Sequence, residues 1–258
     1  MKVLKWAGAK WKHVKKIIDI IPEHKVYIEP FFGSGAVYFN KCECNNSILN
    51  DLDSNVVNLF RVIRHNAEEL ALAIELTPYS REEYLSCYDD NEYDSDIEKA
   101  RKFLVRSNMA RGVTQYYRPG WRFAGLKESL NKKARITREW NRLPESILEA
   151  SQKLKDAEIE NIDAIKLIKK YNHGDCLIYI DPPYLLSSKH HKYYNFEMSD
   201  AEHIELLETI REHQAKIIIS GYDNDLYDKY LDGWKKISFK AVTEGATKKT
   251  ECLWVNYL

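Results

Sequence analysis

Residues 177–187 read LIYIDPPYLLS. A short apolar run ends in an acid, two adjacent prolines and a tyrosine. Four such residues bounded by a turn signal read as a buried strand rather than a helix. The prolines lack N–H donors and fix φ, so the strand stops before them. Asp181 therefore sits at the carboxyl end of a strand. Ionised, it only accepts hydrogen bonds, and Pro182 brings no competing N–H. Acceptors held by the rigid pair Pro182 and Pro183 suit a donor with two hydrogens, such as an exocyclic –NH2. Tyr184 adds a flat face, and stacking a base on an aromatic ring is worth ~1–3 kcal/mol. The bland alternative is a plain turn after a strand.

Working outward, the same rhythm recurs. VYIE (26–29) is a strand candidate, followed by the loop PFFGSG and a helix-like AVYFNK. SIL (47–49) is a second strand, and 55–64 reads as helix. From 65 to 150 the pattern is helical and charged, with no convincing long strand. KIIIS (216–220) is another buried strand. Before it, Ser199-Asp-Ala-Glu202 is a capping-box sequence, with Ile204, Leu207 and Ile210 at helical spacing. WKKISFKAV (234–242) and CLWVNYL (252–258) read as a final strand pair around TEGATKKTE. Strands alternating with helices predict an α/β fold, Rossmann-like and doubly wound, with a mostly parallel sheet ending in an antiparallel pair. Residues 65–150 break the rhythm and read as an inserted, mainly helical subdomain; 1–64 and 151–258 then form the main domain.

Composition excludes several classes. The 258 residues carry no net charge and no apolar run near the ~20 residues of a membrane span. MKVLKWAGAKWK lacks an apolar signal core with a cleavage site. Cys42, Cys44, Cys87, Cys176 and Cys252 are odd in number and scattered, which suits reduced thiols and a cytoplasmic protein. Cys42-x-Cys44 has the wrong spacing for a zinc knuckle, so no metal is expected. Charge is unevenly placed. Residues 75–99 hold nine acids and two bases; residues 101–142 hold twelve bases and two acids, a net +10. That stretch is either a polyanion surface or a solvated face paired with the acids before it.

Ligands of open α/β sheets sit at the carboxyl ends of strands near the switch point. Phe31-Phe32-Gly33-Ser34-Gly35 follows the first strand, where glycines permit a tight turn and close approach. The full G-x-G-x-x-G pattern is absent, with Tyr38 at its last position, so a pyrophosphate cradle is not the natural reading. Asp51 ends the next strand and suits ribose hydroxyls; a helix cap or turn is its alternative. Together they describe a nucleoside-bearing cofactor.

The whole pattern resembles the S-adenosylmethionine-dependent DNA adenine-N6 methyltransferases of the DNA adenine methylase (Dam) family. KWAGAK (5–10), EPFFGSG (29–35), NDLDSNVVNLF (50–60) and IDPPYLL (180–186) are similar to its motifs, in the family's α-type order. The resemblance implies a catalytic domain over 1–64 and 151–258 and a target-recognition subdomain at 65–150, where the +10 stretch lies. It implies S-adenosyl-L-methionine as cofactor and double-stranded DNA as partner. A cognate restriction endonuclease is a further candidate partner. Lys10, with Trp6 and Gly8, would meet the methionine end. Phe31, Gly33, Ser34 and Gly35 would line the cofactor, with Asp51 on its ribose and Asp181 adjoining it. Asp181, Pro182, Pro183 and Tyr184 would hold an adenine flipped out of the duplex.

Candidate DNA contacts are Arg106, Asn108, Arg111, Tyr116, Tyr117, Arg118, Trp121, Arg122, Lys132 and Lys133 in the insertion, with Tyr194 in the loop KHHKYYNF (189–196). Arginines read guanine edges and phosphates, and aromatics fill the gap left by an extruded base. Core anchoring is an equal reading for the loop aromatics, Tyr193, Tyr194 and Phe196; Lys189 and Lys192 would meet phosphate. Lys248 and Lys249 are either backbone contacts or a solvated loop. The insertion departs from GATC-recognising relatives, which argues against that target. No cysteine follows a proline, so the nucleophile of cytosine-C5 methylation is absent. Two rival classes are an RNA or protein-glutamine amino methyltransferase of the same fold, and a non-catalytic nucleic-acid binder. Asp181 and the basic insertion argue against the first, and intact motifs against the second.

Overall fold

Alternation along the strands fixes which side of the sheet is which. The computed structural model describes every residue except 90, 113–117, 124–129, 186–193 and 243–247, and only the backbone of 130–135, 241, 242 and 248. Among the described residues, seven strands form one sheet: β1 (Val26–Glu29), β2 (Asn46–Asn50), β3 (Ala157–Glu160), β4 (Cys176–Ile180), β5 (Lys216–Tyr222), β6 (Lys235–Val242) and β7 (Lys248–Val255). Their order is β3-β2-β1-β4-β5-β7-β6. β1 to β5 pair in parallel, and β7 runs antiparallel to both β5 and β6. The expected mixed sheet with an antiparallel end is what the chain forms. The strand order reverses between β1 and β4, so the switch point lies where Pro30-Phe31 and Asp181-Pro-Pro-Tyr184 leave the sheet.

On one face, Ile28, Ile48, Ile178, Ile180, Ile217, Ile219, Cys252 and Trp254 pack against three helices. These are α8 (Ala164–Lys170), α9 (Asp200–Arg211) and α10 (Asp225–Tyr230). The other face carries Tyr27, Glu29, Tyr179, Ser220 and Glu251, all buried. Successive strand residues point to opposite faces, so LIYI and KIIIS each contribute to an apolar and a polar-tipped side. The α9 start holds the capping box expected from the sequence, with Ser199 accepting from Glu202 N–H and the Glu202 carboxylate accepting from Ser199 N–H.

Three details differ from the sequence expectation. AVYFNK forms turns rather than a helix. Phe39 and Lys41 each bond four residues back, but Asn40 N–H reaches only Val37 O while its side chain takes Ala36 O, interrupting the ladder. β3 (AEIE) was not expected; it is a short edge strand whose polar, half-exposed residues carry little hydrophobic signal. β7 begins at Lys248, four residues before the apolar run; its first residues, KKTE, carry no apolar signal.

The chain divides into two compact units: Ile17–Phe32, Cys42–Asp53 and Ala157–Leu258 hold the sheet, and Met1–Lys16, Gly33–Lys41 and Ser54–Asp156 form the other. The second unit is helical, with α2 (Ser54–His65), α3 (Ala67–Glu75), α4 (Arg81–Ser86), α5 (Asp96–Met109), α6 (Leu130–Asn141) and α7 (Leu143–Leu154); α1 (Val14–Ile18) crosses the boundary. Ser80 and Ser95 cap α4 and α5 by accepting from the third residue of each helix.

Candidate active site

Asp181 follows the last residue of β4, directly beside Ser220 of β5 by the register that pairs Ile180 with Ile219. The Ser220 hydroxyl donates to Asp181 Oδ1 at 2.7 Å and lies 3.3 Å from Ile180 O. One carboxylate oxygen is thus fixed by a fully buried serine. Pro182 is buried and Pro183 half-buried, so the turn holds without its own N–H donors. Tyr184 is anchored from the antiparallel end of the sheet. Its hydroxyl donates to Glu251 Oε1 at 2.8 Å, and its ring meets Tyr222 edge-on at 4.7 Å. Burial, then the Asp181 and Glu251 carboxylates, push the Tyr184 hydroxyl well above the usual phenol range, so it remains a donor. Burial followed by Asp181 does the same to Tyr179.

Tyr194 belongs to this group. Burial raises its hydroxyl strongly, and the nearby carboxylates of Asp181, Glu197 and Asp51 raise it further. Its neighbour Asn195 donates to Asp53 Oδ2 at 3.2 Å, tying the segment after Asp181-Pro-Pro-Tyr184 to the end of β2. Asp51 Oδ1 accepts from Asp53 N–H at 2.9 Å, so one oxygen closes a local turn. Asn50, 1% exposed, locks this end of the sheet: its amide donates to Pro30 O and Ile162 O, and its oxygen accepts from Ile162 N–H. Phe31 packs on the apolar core. Glu29 takes the Tyr27 hydroxyl at 2.8 Å on the polar face.

In the helical unit, Gly33, Gly35 and Gly8 all adopt positive φ. A Cβ on Gly33 would stand 2.7 Å from Trp6 Nε1, so the loop and the Trp6 indole fit only with glycine there. Trp6 also meets Phe103 edge-on. Ser34 Oγ accepts from Trp11 Nε1 at 3.2 Å. Lys10 is buried and its ammonium donates to Gly8 O at 2.8 Å. KWAGAK and the glycine loop thus pack as one piece, joined by Trp6.

The basic stretch sorts into two groups. Arg101 pairs with Glu98 and Glu83 and donates to Thr77 Oγ1; Lys102 pairs with Asp94 at 2.7 Å. The Lys102 bond holds the Asp94 carboxyl below its ordinary value. These bases serve the fold, as the paired-face reading expects. Arg106 donates to Cys87 O and Asn108 to Leu104 O, also within the fold. Arg111 and Arg118 are exposed. They lie over the rings of Phe123 and Tyr88, at 5.4 and 5.0 Å. Arg122 meets Glu139 at 3.1 Å. Trp121 pairs with Ala110 as an isolated bridge, closed by Arg111 N–H to Gly120 O and Arg122 N–H to Met109 O. Trp121 and Phe123 stack at 5.5 Å under Arg81. Lys189, Lys192, Tyr193, Tyr116 and Tyr117 lie outside the described residues, as do the side chains of Lys132 and Lys133.

Asp181 held by Ser220, the turn of Pro182 and Pro183, and the Tyr184 ring anchored by Glu251 stand together at the carboxyl end of β4. A model of the D12 class N6 adenine-specific DNA methyltransferases matches residues 6–249. The chain belongs to this family. It is 25% identical to the type II methyltransferase M.MjaIII of Methanocaldococcus jannaschii, over 98% of both chains. It is 24% identical to the type II methyltransferase M.CviBI of Paramecium bursaria Chlorella virus NC1A, over 92% of this chain and 91% of that one. A stretch covering 33% of this chain and 34% of the relative is 29% identical to the DNA adenine methylase of Salmonella typhi.

This D12 methyltransferase is therefore an enzyme that methylates adenine N6 in DNA at specific sites, and the Dam-type resemblance read from its motifs is the right one. Its family implies a methyl donor. No described helix is long and apolar enough to cross a membrane, and the described residues hold no cluster of three or more metal-ligating side chains. The sequence reading missed Ser220, Tyr222 and Glu251. No local signal marked them: only the register of β5 with β4 and β7 puts these residues on the same face as Asp181.

Proposed function

We propose that the D12 methyltransferase transfers the methyl group of S-adenosyl-L-methionine to an adenine flipped into the pocket of Asp181, Pro182 and Tyr184. The Asp181 carboxylate and the Pro182 carbonyl accept the two amine hydrogens. That draws the amine lone pair out of the ring and onto nitrogen, in the geometry of attack. The Tyr184 ring carries the base by stacking. The observation that supports this most directly is the Ser220–Asp181 bond of 2.7 Å, which holds the acceptor in place before any substrate arrives.

The donor set suits the cofactor. Asp51, an acceptor that follows β2, the strand beside β1, suits the hydroxyl donors that an adenosine offers. The cofactor supplies an electrophilic methyl group, so positioning by these residues accounts for much of the rate. Lys10 and the Gly33–Gly35 turn are assigned to the same cofactor by their motifs. Residues 65–150 are proposed as the target-recognition subdomain, with Arg111, Arg118, Arg122 and Trp121 as DNA contacts and Tyr194 beside the base. The type II names of the relatives favour a restriction-modification context, and the free cysteines suit action on intracellular DNA.

Plasmid methylation followed by modification-sensitive long-read sequencing gives base, position and context together. Asp181→Ala should abolish transfer while cofactor affinity stays within a few-fold. Wild-type methylation by that variant would refute the assignment of the amine acceptor.

A further inference from the structure

Glu251 lies on β7, far in sequence from every motif, and it is 6% exposed. The β5–β7 register sets it opposite Tyr222. Its Oε1 takes the Tyr184 hydroxyl at 2.8 Å, across 67 residues of chain. Tyr222 braces the same ring edge-on at 4.7 Å, and Lys249, two residues before Glu251, lies 4.6 Å over the Tyr222 ring. Tyr184 is therefore held at its hydroxyl and along its edge by the antiparallel end of the sheet. Asp181 is held separately, by Ser220. The two halves of the Asp-Pro-Pro-Tyr motif thus have independent supports.

We propose that Glu251 is a positioning residue for adenine methylation: by accepting the Tyr184 hydroxyl it fixes the direction in which the ring points, and so the place of the face on which the target base stacks. This rests on the reading of Asp181–Tyr184 as the base pocket. An aromatic ring swings about its Cα–Cβ bond and spins about its Cβ–Cγ bond; the phenol oxygen lies on the second axis, so the Glu251 bond at the far end stops the swing, and the edge contact with Tyr222 limits the spin. A base stacked on a tilted ring would present its amine away from Asp181, and a displacement of ~1 Å costs about 100-fold in rate. The antiparallel strand pair thereby acquires a catalytic purpose beyond closing the sheet.

What Glu251 contributes on this account is reach rather than charge, and two substitutions separate these. Glu251→Gln keeps the length and one acceptor oxygen while losing the charge. Glu251→Asp keeps the charge but withdraws the acceptor by one methylene. The full-length enzyme is assayed under single-turnover conditions with tritium-labelled S-adenosylmethionine and unmethylated plasmid DNA. Cofactor affinity is measured alongside by tryptophan fluorescence.

Glu251→Asp should slow transfer roughly 10- to 100-fold, the range for losing a hydrogen bond to a charged group, with cofactor affinity unchanged. Glu251→Gln should recover most of that loss. In a Tyr184→Phe background the two substitutions should give the same rate, because the hydroxyl they compete to hold is gone. The inference is overturned if Glu251→Asp is as fast as Glu251→Gln, or if their difference persists without the Tyr184 hydroxyl. Asp181→Ala serves as the separate control. If it still methylates, the base-pocket reading itself fails; if it is inactive while the Gln and Asp order is reversed, only the role of Glu251 fails.

Discussion

At the residue scale, the methyltransferase holds polar side chains in fixed geometry by burying them beside well-placed partners. Gly33 shows the same economy in the backbone. Its φ of +47° and the 2.7 Å approach of Trp6 leave no room for a side chain. Gly33→Ala should destabilise the protein by about 1–3 kcal/mol, the range for a non-glycine residue forced into that region, read as a fall in the urea midpoint. An unchanged midpoint would mean that Trp6 moves aside freely. Asn50 is the counterpart at the end of β2. It satisfies two carbonyls and one N–H. Asn50→Ala strands all three, each a buried group costing ~1–3 kcal/mol unpaired, so a loss above ~2 kcal/mol is expected. A melting temperature equal to wild type would contradict that.

At the element scale, α9 starts on a complete capping box, and its stability depends on pH in a direction that can be worked out. The Ser199 hydroxyl and then the Ser199 N–H hold the Glu202 carboxyl below its ordinary value. A folded pKa below the unfolded one stabilises the protein above the unfolded value, about 4.3 for Glu. That contribution fades as pH falls through the folded value. Ser199→Ala should cost about 1 kcal/mol at pH 7. The difference from wild type should shrink only as pH falls through the lowered folded value of Glu202, below the ordinary ~4.3. Chemical denaturation over a series from pH 7 down to about pH 2.5 checks this; a gap that stays constant over the whole series would show that Glu202 takes no part. The β5–β7–β6 end is a second case. Lys236 on β6 bridges Asp223 and Asp228 at 2.6 Å each, joining the strand to the start of α10 and the turn before it.

At the scale of the whole molecule, zero net charge hides two kinds of arginine. Arg101 is spent on Glu83 and Glu98, whereas Arg111 and Arg118 are exposed above aromatic rings. Each phosphate contact changes the slope of log K against log salt by about 0.9. Arg111→Ala and Arg118→Ala should each lower the magnitude of that slope by roughly one for DNA binding. Arg101→Ala should lower the melting temperature and leave the slope alone. Fluorescence anisotropy across a salt series, with melting curves beside it, separates the two kinds. A slope unchanged in both surface variants would remove Arg111 and Arg118 from the DNA face.

Local chemistry along the chain determined much of this. Two prolines after an acid stop β4 wherever the chain is placed, because the missing N–H and fixed φ belong to the residue itself. Ser199 and Glu202 form their box for the same reason, since both partners lie within one helical turn. Strand β3 was not legible, because AEIE owes its conformation to pairing with β2 rather than to its own polar residues. Nor was the division of the basic stretch: Arg101 finds Glu83 only when α4 and α5 pack together. Ser220 and Glu251 were equally silent. A hydrogen bond across 39 or 67 residues is set by strand register, and register exists only once the sheet has formed.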